Sequence, residues 1–248
     1  MKIYGCWICY NNHQTIKHSI ESVLQHVDGI IVVDGSFDGK VSDDGTWEMV
    51  EAICNKTDKP TWHVKSKANT LYDKHNEHVA ITGNNDPDVF TWQVDSDEIY
   101  LPEHAKAIAK KIRSNKYNGI AVKLINVNYI NEGIAYTDNS LTKLDTYQMR
   151  IYRMHKGLIF KTKDNIFEHI VYNNDAPVQS QNNKIHYIPW KEQCVFNYHC
   201  LEPMHETIAR YKHYKIKDYE AFARKVRSVK NNPNQLARHP MESIIFRA

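Results

Sequence analysis

Ile30-Ile31-Val32-Val33 is the stretch that most limits what this chain can fold into. It is a solid apolar run without alternation, the pattern of a parallel strand buried on both faces. The flanking sequence supplies helices to cover it. Upstream, Ile16, Ile20, Val23, Leu24 and Val27 recur at helical spacing and form one apolar stripe, from about Gln14 to His26. Downstream, a second helix is expected from Trp47 to about Asn55, and a third from Leu71 to Thr82. Lys2 to Tyr10 reads as a first strand and Thr61 to Val64 as a third. Val89, Phe90, Trp92 and Val94 read as a fourth, bounded by Asp86-Pro87-Asp88. This β-α alternation implies an α/β fold with a mostly parallel sheet and right-handed crossovers. The 248 residues suit one large domain, or one domain with an appendage.

The second half is less regular. A helix is expected from Pro102, placed as a first-turn residue, to about Ser114. Ile120 to Val127, Gln148 to Met154 and Lys184 to Tyr187 look like strands. Phe160 to Asn174 carries Lys161, Lys163 and Asp164, then Phe167-Glu168-His169. Phe196-Asn197-Tyr198-His199 precedes a long basic helix from about His205 to Lys230. The tail, with Pro233 and Pro240, is expected to be irregular. No internal repeat or low-complexity tract is visible.

Two of the strands end in acid. Asp34 closes the run at Val33, and the fourth strand runs into Asp95-Ser96-Asp97-Glu98. In open α/β sheets the carboxyl ends of the strands are where ligands bind. Carboxylates this close repel one another, so a positive group is needed there. A hard divalent cation suits, because Mg²⁺ or Mn²⁺ takes oxygen ligands and commonly bridges to substrate phosphates. The plainer reading is a solvated acidic turn leading into the helix at Pro102.

Composition narrows the rest. With 42% hydrophobic and 25% charged residues the chain is an ordinary globular mix, and a net charge of +3 is too small to argue for nucleic acid by itself. No stretch reaches the roughly 20 apolar residues of a transmembrane segment. The run Ile3 to Cys9 is too short for a signal peptide, so an intracellular, cytoplasmic protein is the default. Cys6-Trp7-Ile8-Cys9 imitates a redox C-x-x-C motif but lies inside the first strand, where residues three apart face opposite sides. Buried, unpaired thiols are therefore expected.

The motifs in order resemble the GT-A glycosyltransferases of the family-2-like group. Tyr10-Asn11 matches a Tyr-Asn pair at the end of the first strand. Val33-Asp34-Gly35-Ser36-Phe37-Asp38-Gly39, together with Ser42-Asp43-Asp44-Gly45-Thr46, resembles a V-D-x-S-x-D-G-T pattern with extra residues between its halves. Lys74-His75-Asn76 lies where an Arg-Asn pair is usual, and Asp95-Ser96-Asp97-Glu98 resembles the D-x-D signature followed by an acid. Arg150-Ile151-Tyr152-Arg153 resembles an R-x-F-R strand, Phe167-Glu168-His169 stands where many members have His-Glu, and Tyr198-His199 resembles the late metal-binding histidine.

The resemblance implies a metal-dependent transferase taking its sugar from a nucleotide-sugar donor, a UDP-sugar first. The implied fold is a single GT-A-like domain with a Rossmann-like sheet, a mixed C-terminal half and a long C-terminal helix. Residues 1–100 would bind the donor, 101–200 would carry the acceptor and catalytic half, and 201–248 would form a basic helical appendage. The implied donor contacts are Tyr10, Asn11, Asp34, Lys74, Asn76, Asp95 and Arg153. The resemblance implies Asp97 as the direct ligand of Mn²⁺ or Mg²⁺, joined by Asp95 and His199. Glu168 is the first candidate for the catalytic base and Asp164 the second. Arg150 and Arg153 could clamp phosphate; on an alternating strand at most one of them faces the donor.

Two other classes remain open on sequence. A nucleotidyltransferase shares the sheet and paired carboxylates, but Tyr10-Asn11-Asn12-His13 lacks the glycine-rich basic loop usual after its first strand. A nucleic-acid or membrane-surface binding module is suggested by Arg210, Lys212, Lys215, Lys217, Arg224, Lys225, Arg227 and Lys230, interleaved with Tyr211, Tyr214 and Tyr219. That helix is compatible with transferase activity if the acceptor is anionic. The acceptor itself, whether glycan, lipid-linked glycan, protein or DNA, is left open.

Overall fold

A computed structural model of the chain describes residues 1–83, 88–131, 134–138, 147–154, 158–163, 167–171, 185–188, 195–197 and 236–239. The first four strands and their helices follow the order read from sequence: β1 Lys2–Cys9, α1 Ile16–Leu24, β2 Gly29–Asp34, α2 Thr46–Lys56, β3 Thr61–Lys65, α3 Leu71–Thr82 and β4 Val89–Asp95. A tight turn leads to β5 Glu98–Tyr100 and α4 Pro102–Arg113, with Pro102 in the first turn as expected. Then come β6 Gly119–Asn131, β7 Ile134–Asp138, β8 Tyr147–Arg153, β9 Ile159–Lys163, β10 Phe167–Val171, β11 Ile185–Tyr187, β12 Val195–Asn197 and β13 Leu236–His239.

The main sheet runs in the order β13-β7-β6-β8-β4-β1-β2-β3. β1 pairs in parallel with both β2 and β4, and β2 with β3; β8 and β6 join antiparallel. β1 is thus central, and alternation along it sends side chains to two layers. Ile3, Trp7 and Cys9 face a core completed by Ile16, Ile20 and Val23 of α1 and Ile108 and Ile112 of α4. Cys6 faces the other way, with Ile31 and Val33. Ile30 and Val32 join the first layer, so all four residues of the apolar run are buried, two on each face. Burying each of these side chains stabilises the fold by about 1.5–3 kcal/mol before entropy is counted.

Cys6 and Cys9 are buried free thiols on opposite faces, as their spacing in a strand requires. The tail is not irregular throughout: Leu236–His239 forms β13 against β7, and β6 runs on to Asn131 as one arm of a hairpin with β7. Four residues between two prolines carry no strand signal of their own, and the antiparallel partner that orders them lies about a hundred positions upstream. The expected basic helix over 205–230 lies outside the described residues. Among the described residues, no helix is long and apolar enough to cross a membrane.

Candidate functional site

The carboxyl edge of β2, β1 and β4 gathers most of the acids singled out from sequence. Cys9 stands beside Asp34 and Ile8 beside Asp95 in the strand register, so the two aspartates flank β1 at one edge. A relay fixes this edge from below. Trp7 Nε1 donates to Ser19 Oγ at 2.9 Å, and that hydroxyl donates to the Asp95 carbonyl at 3.0 Å, tying β1, α1 and the end of β4 together.

Asp34 is fully buried. Its Oδ1 accepts from the Ser42 amide at 3.1 Å and the Ser42 hydroxyl at 2.7 Å. Its Oδ2 is also buried and has no hydrogen-bond partner among the described residues. Burial pushes the Asp34 carboxyl up from its ordinary range, against the pull of the Ser42 bonds and of Lys74. A buried acceptor left open is costly unless something donates to it.

Around Asp34 the two halves of the aspartate-glycine pattern close into a collar. Ser36 accepts from the Lys40 amide and donates to Asp38, which also pairs with Lys40 at the surface. Asn11, in the left-handed region at φ 52°, forms a two-way bond with Asp43: its Nδ2 donates to Oδ1 at 3.0 Å, and its Oδ1 accepts from the Asp43 amide at 3.1 Å. The Asn11 amide donates to Ser42 Oγ and the Asn12 amide to Thr46 Oγ1. Gly45 takes φ 91°, with His13 packed where a side chain would stand. Tyr10 lies half-buried at the mouth of this collar beside Ser36, Lys40 and Asp43, its phenol held up mainly by partial burial.

Lys74 comes up from α3 into the same place. Its ammonium is buried and donates to the carbonyls of Cys9 and Gly35, at 2.7 and 2.5 Å. It therefore clamps the ends of β1 and β2 and places a positive charge near Asp34, although burial lowers its pKa. Its direct partners are the protein's own backbone.

The second half of the edge is built from Asp95, Asp97, Glu98 and a residue from another strand. Asp97 is 7% exposed and Glu98 fully buried. Arg150 reaches in from β8: Nε donates to Glu98 Oε1 at 3.1 Å, and Nη2 sits 2.5 Å from both Glu98 Oε1 and Asp95 Oδ2. Glu98 Oε2 accepts from the Asp95 amide at 3.3 Å, closing the turn on itself. The positive group that the clustered acids call for is thus supplied in part by the chain. Burial, with the charges of Asp95 and Asp97 adding to it, pushes the Glu98 carboxyl up from its ordinary range, while Arg150 pulls it down.

Two of the donor contacts expected from sequence, Asn76 and Arg153, have other partners in the structure. Asn76 does not face this edge with a free amide: its Nδ2 donates to the Phe160 carbonyl at 3.0 Å and its Oδ1 accepts from the Phe160 amide at 2.8 Å. Both ends of the side chain pair with β9 as a neighbouring strand would, so Asn76 staples α3 to β9. Arg153 lies at the opposite end of β4 from Asp95, level with Phe90 in the register. There it bonds Asn118 and Asn115 and covers the Phe90 ring at 4.7 Å, out of reach of the acidic edge. Arg150, three residues earlier on the strand, takes the place at that edge. Glu168 lies in β10, opposite Thr162 of β9, and is described by its backbone alone. Asp164 and His199 lie outside the described residues; β12 brings Asn197 opposite Glu98.

Among the described residues no three metal-ligating side chains converge. The donor set still suits a hard cation, because Mg²⁺ and Mn²⁺ sites commonly use one or two carboxylates and take their other oxygens from phosphates and water. Asp95 and Asp97 at the strand end are such a pair.

Residues 6–174 match the model of glycosyl transferase family 2, and the chain belongs to that family. It is accordingly a glycosyltransferase of the GT-A fold. Among solved structures, S. aureus TarS 1–349 is similar with a TM-score of 0.52 and 16% identity, covering 94% of this chain and 72% of TarS 1–349. The same protein in complex with UDP-GlcNAc is similar with a TM-score of 0.54 and 17% identity, again over 94% and 72%. At such identities the likeness is one of fold. No curated protein sequence matches the chain significantly.

Proposed function

We propose that this chain transfers a sugar from a UDP-linked donor to an acceptor hydroxyl with the help of Mn²⁺ or Mg²⁺. The observation that carries the reading is the pairing of a buried Asp34, with one oxygen open, and the Asp95–Asp97 carboxylates at the same sheet edge, separated only by β1. The open Asp34 oxygen suits a base N–H, and Tyr10 at the collar mouth offers a ring for stacking. The UDP-GlcNAc complex of TarS, on the same fold, makes a uridine donor the first choice.

Asp97 is assigned as the direct metal ligand, with Asp95 on the ribose or a metal-bound water, and His199 as a further ligand. A bound divalent cation would neutralise charge on the leaving diphosphate as a Lewis acid. The chain's own residues orient the donor: Asp34 and Asn11 through the collar, Lys74 by holding the two strand ends. The acceptor hydroxyl attacks the anomeric carbon as its proton passes to a carboxylate, Glu168 or Asp164, and the sugar–phosphate bond breaks. Residues 1–100 carry the donor side and 101–200 the acceptor side; the acceptor is a hydroxyl-bearing glycan, lipid-linked glycan, protein or nucleic acid.

Asp97→Asn tests this directly. It keeps size and removes the charge that holds a cation. The variant is expected to fold normally, to lose the Mn²⁺-dependent part of UDP binding in calorimetry, and to lose activity by orders of magnitude, because charge stabilisation vanishes where charge develops. Wild-type UDP affinity with wild-type Mn²⁺ dependence in Asp97→Asn would reduce the cluster to an acidic turn.

A further inference from the structure

Arg150 is a side chain of the acidic edge to which the reaction above assigns no step. It stands on β8, antiparallel to β4, and its guanidinium is buried. The fork divides its contacts: Nε and Nη2 hold Glu98 Oε1, and Nη2 also holds Asp95 Oδ2. Glu98 is fully buried and itself closes the turn by accepting from the Asp95 amide. The Asp95 side chain is only about a third exposed and has one oxygen committed to Arg150. One guanidinium therefore bridges the Asp95 and Glu98 carboxylates, on either side of Asp97 in the turn. Its planar fork fits that task, since lysine offers a point charge and cannot span two carboxylates with fixed geometry.

We propose that Arg150 is a positioning residue that sets the charge and aim of the donor edge: it aims Asp95 at the donor and holds down the edge's attraction for a bare cation. The inference rests on the transferase reading, because it concerns how Asp95 and Asp97 meet a metal-linked diphosphate. Removing the guanidinium has two consequences of opposite sign. Free Mn²⁺ should bind more tightly, because the guanidinium no longer repels the cation or occupies the Asp95 carboxylate. UDP should bind less tightly, because Asp95 is no longer aimed and an anionic diphosphate meets a more negative edge. A role confined to stability cannot give this split, since a loosened edge loses both ligands together.

The test measures two affinities on Arg150→Met and Arg150→Lys, each checked for wild-type circular dichroism: Mn²⁺ alone, by the free-ion electron paramagnetic resonance signal, and UDP at saturating Mn²⁺, by calorimetry. For Arg150→Met the expected result is tighter Mn²⁺ binding and UDP binding weaker by about tenfold or more, the scale of one lost charge-assisted hydrogen bond. Arg150→Lys, which keeps the charge, should hold Mn²⁺ as the wild type does yet lose part of the UDP affinity. If Arg150→Met does not fold, Arg150→Lys decides alone: unchanged UDP affinity overturns the proposal. Parallel weakening of both ligands in either variant, or no change in either, overturns it as well. A wild-type protein that binds neither UDP nor Mn²⁺ would instead defeat the transferase reading, and this inference with it.

Discussion

Asn76 and Arg150 show how a polar residue's task is set by what its side chain reaches. Both belong to motifs read as donor contacts, yet Asn76 spends its whole amide on the Phe160 backbone, and Arg150 bridges two acids of its own chain. Asn76→Ala removes two hydrogen bonds and leaves a strand amide and carbonyl of β9 without partners. The expected cost is about 1–3 kcal/mol of stability for each buried group left unsatisfied, read from denaturant unfolding. UDP affinity should stay at the wild-type level. A variant with wild-type stability and weakened UDP binding would return Asn76 to the donor site.

At the scale of the element, β1 carries the site because it lies between the two strands that end in acid. Its alternation also governs its thiols. Cys6 packs with Ile31 and Val33, and Cys9 lies in the layer of Trp7 and Ile16. Burial raises the pKa of both well above the ordinary thiol range, and Asp34 raises Cys9 further. Cys54 on α2 is only partly buried and its thiol is raised less. Since the thiolate is the reactive form, native-state alkylation followed by peptide mapping should mark Cys54 well before Cys6 or Cys9. Early labelling of Cys9, or a Cys6–Cys9 disulfide in the native protein, would contradict the two-faced strand.

Across the whole molecule, histidines wholly or partly withdrawn from water couple the fold to pH. His78 is fully buried, with Nε2 at 2.9 Å from the Tyr152 hydroxyl, and burial lowers its pKa well below the usual value. His63 on β3 stacks on Trp47 at 3.6 Å, and burial lowers it to about 4. Both are neutral in the fold, while the unfolded chain protonates them near pH 6.5. Their contribution is therefore whole above pH 6.5 and is lost as pH falls, for His63 between 6.5 and about 4. Asp34 and Glu98, raised by burial, act in the opposite sense: their contribution is whole below the ordinary carboxylate value and is lost as pH rises through the folded one. The histidine share is isolated by comparing melting temperature against pH for the wild type and His63→Gln. The variant should show a shallower fall between pH 6.5 and 4; identical slopes would remove His63 from the account.

What sequence alone determined is what depends on neighbours along the chain. The apolar run Ile30 to Val33, the helical stripe from Ile16 to Val27 and the strands ending at Asp34 and Asp95 follow from hydrophobic period. Period, with the α/β rule that acids at strand ends share one edge, was enough to place the candidate site. The opposite facing of Cys6 and Cys9 was legible for the same reason. Tertiary structure alone decided the partners. Arg150 meets Asp95 across 55 residues and Asn76 meets Phe160 across 84. β13 finds β7 from about a hundred residues away. The motif resemblance put Arg153 among the donor contacts, and only the antiparallel register of β8 on β4 puts Arg150 at the acidic edge and Arg153 at the far end. Local periodicity encodes which face a side chain takes; which group it meets there depends on how distant strands register, and no local pattern carries that.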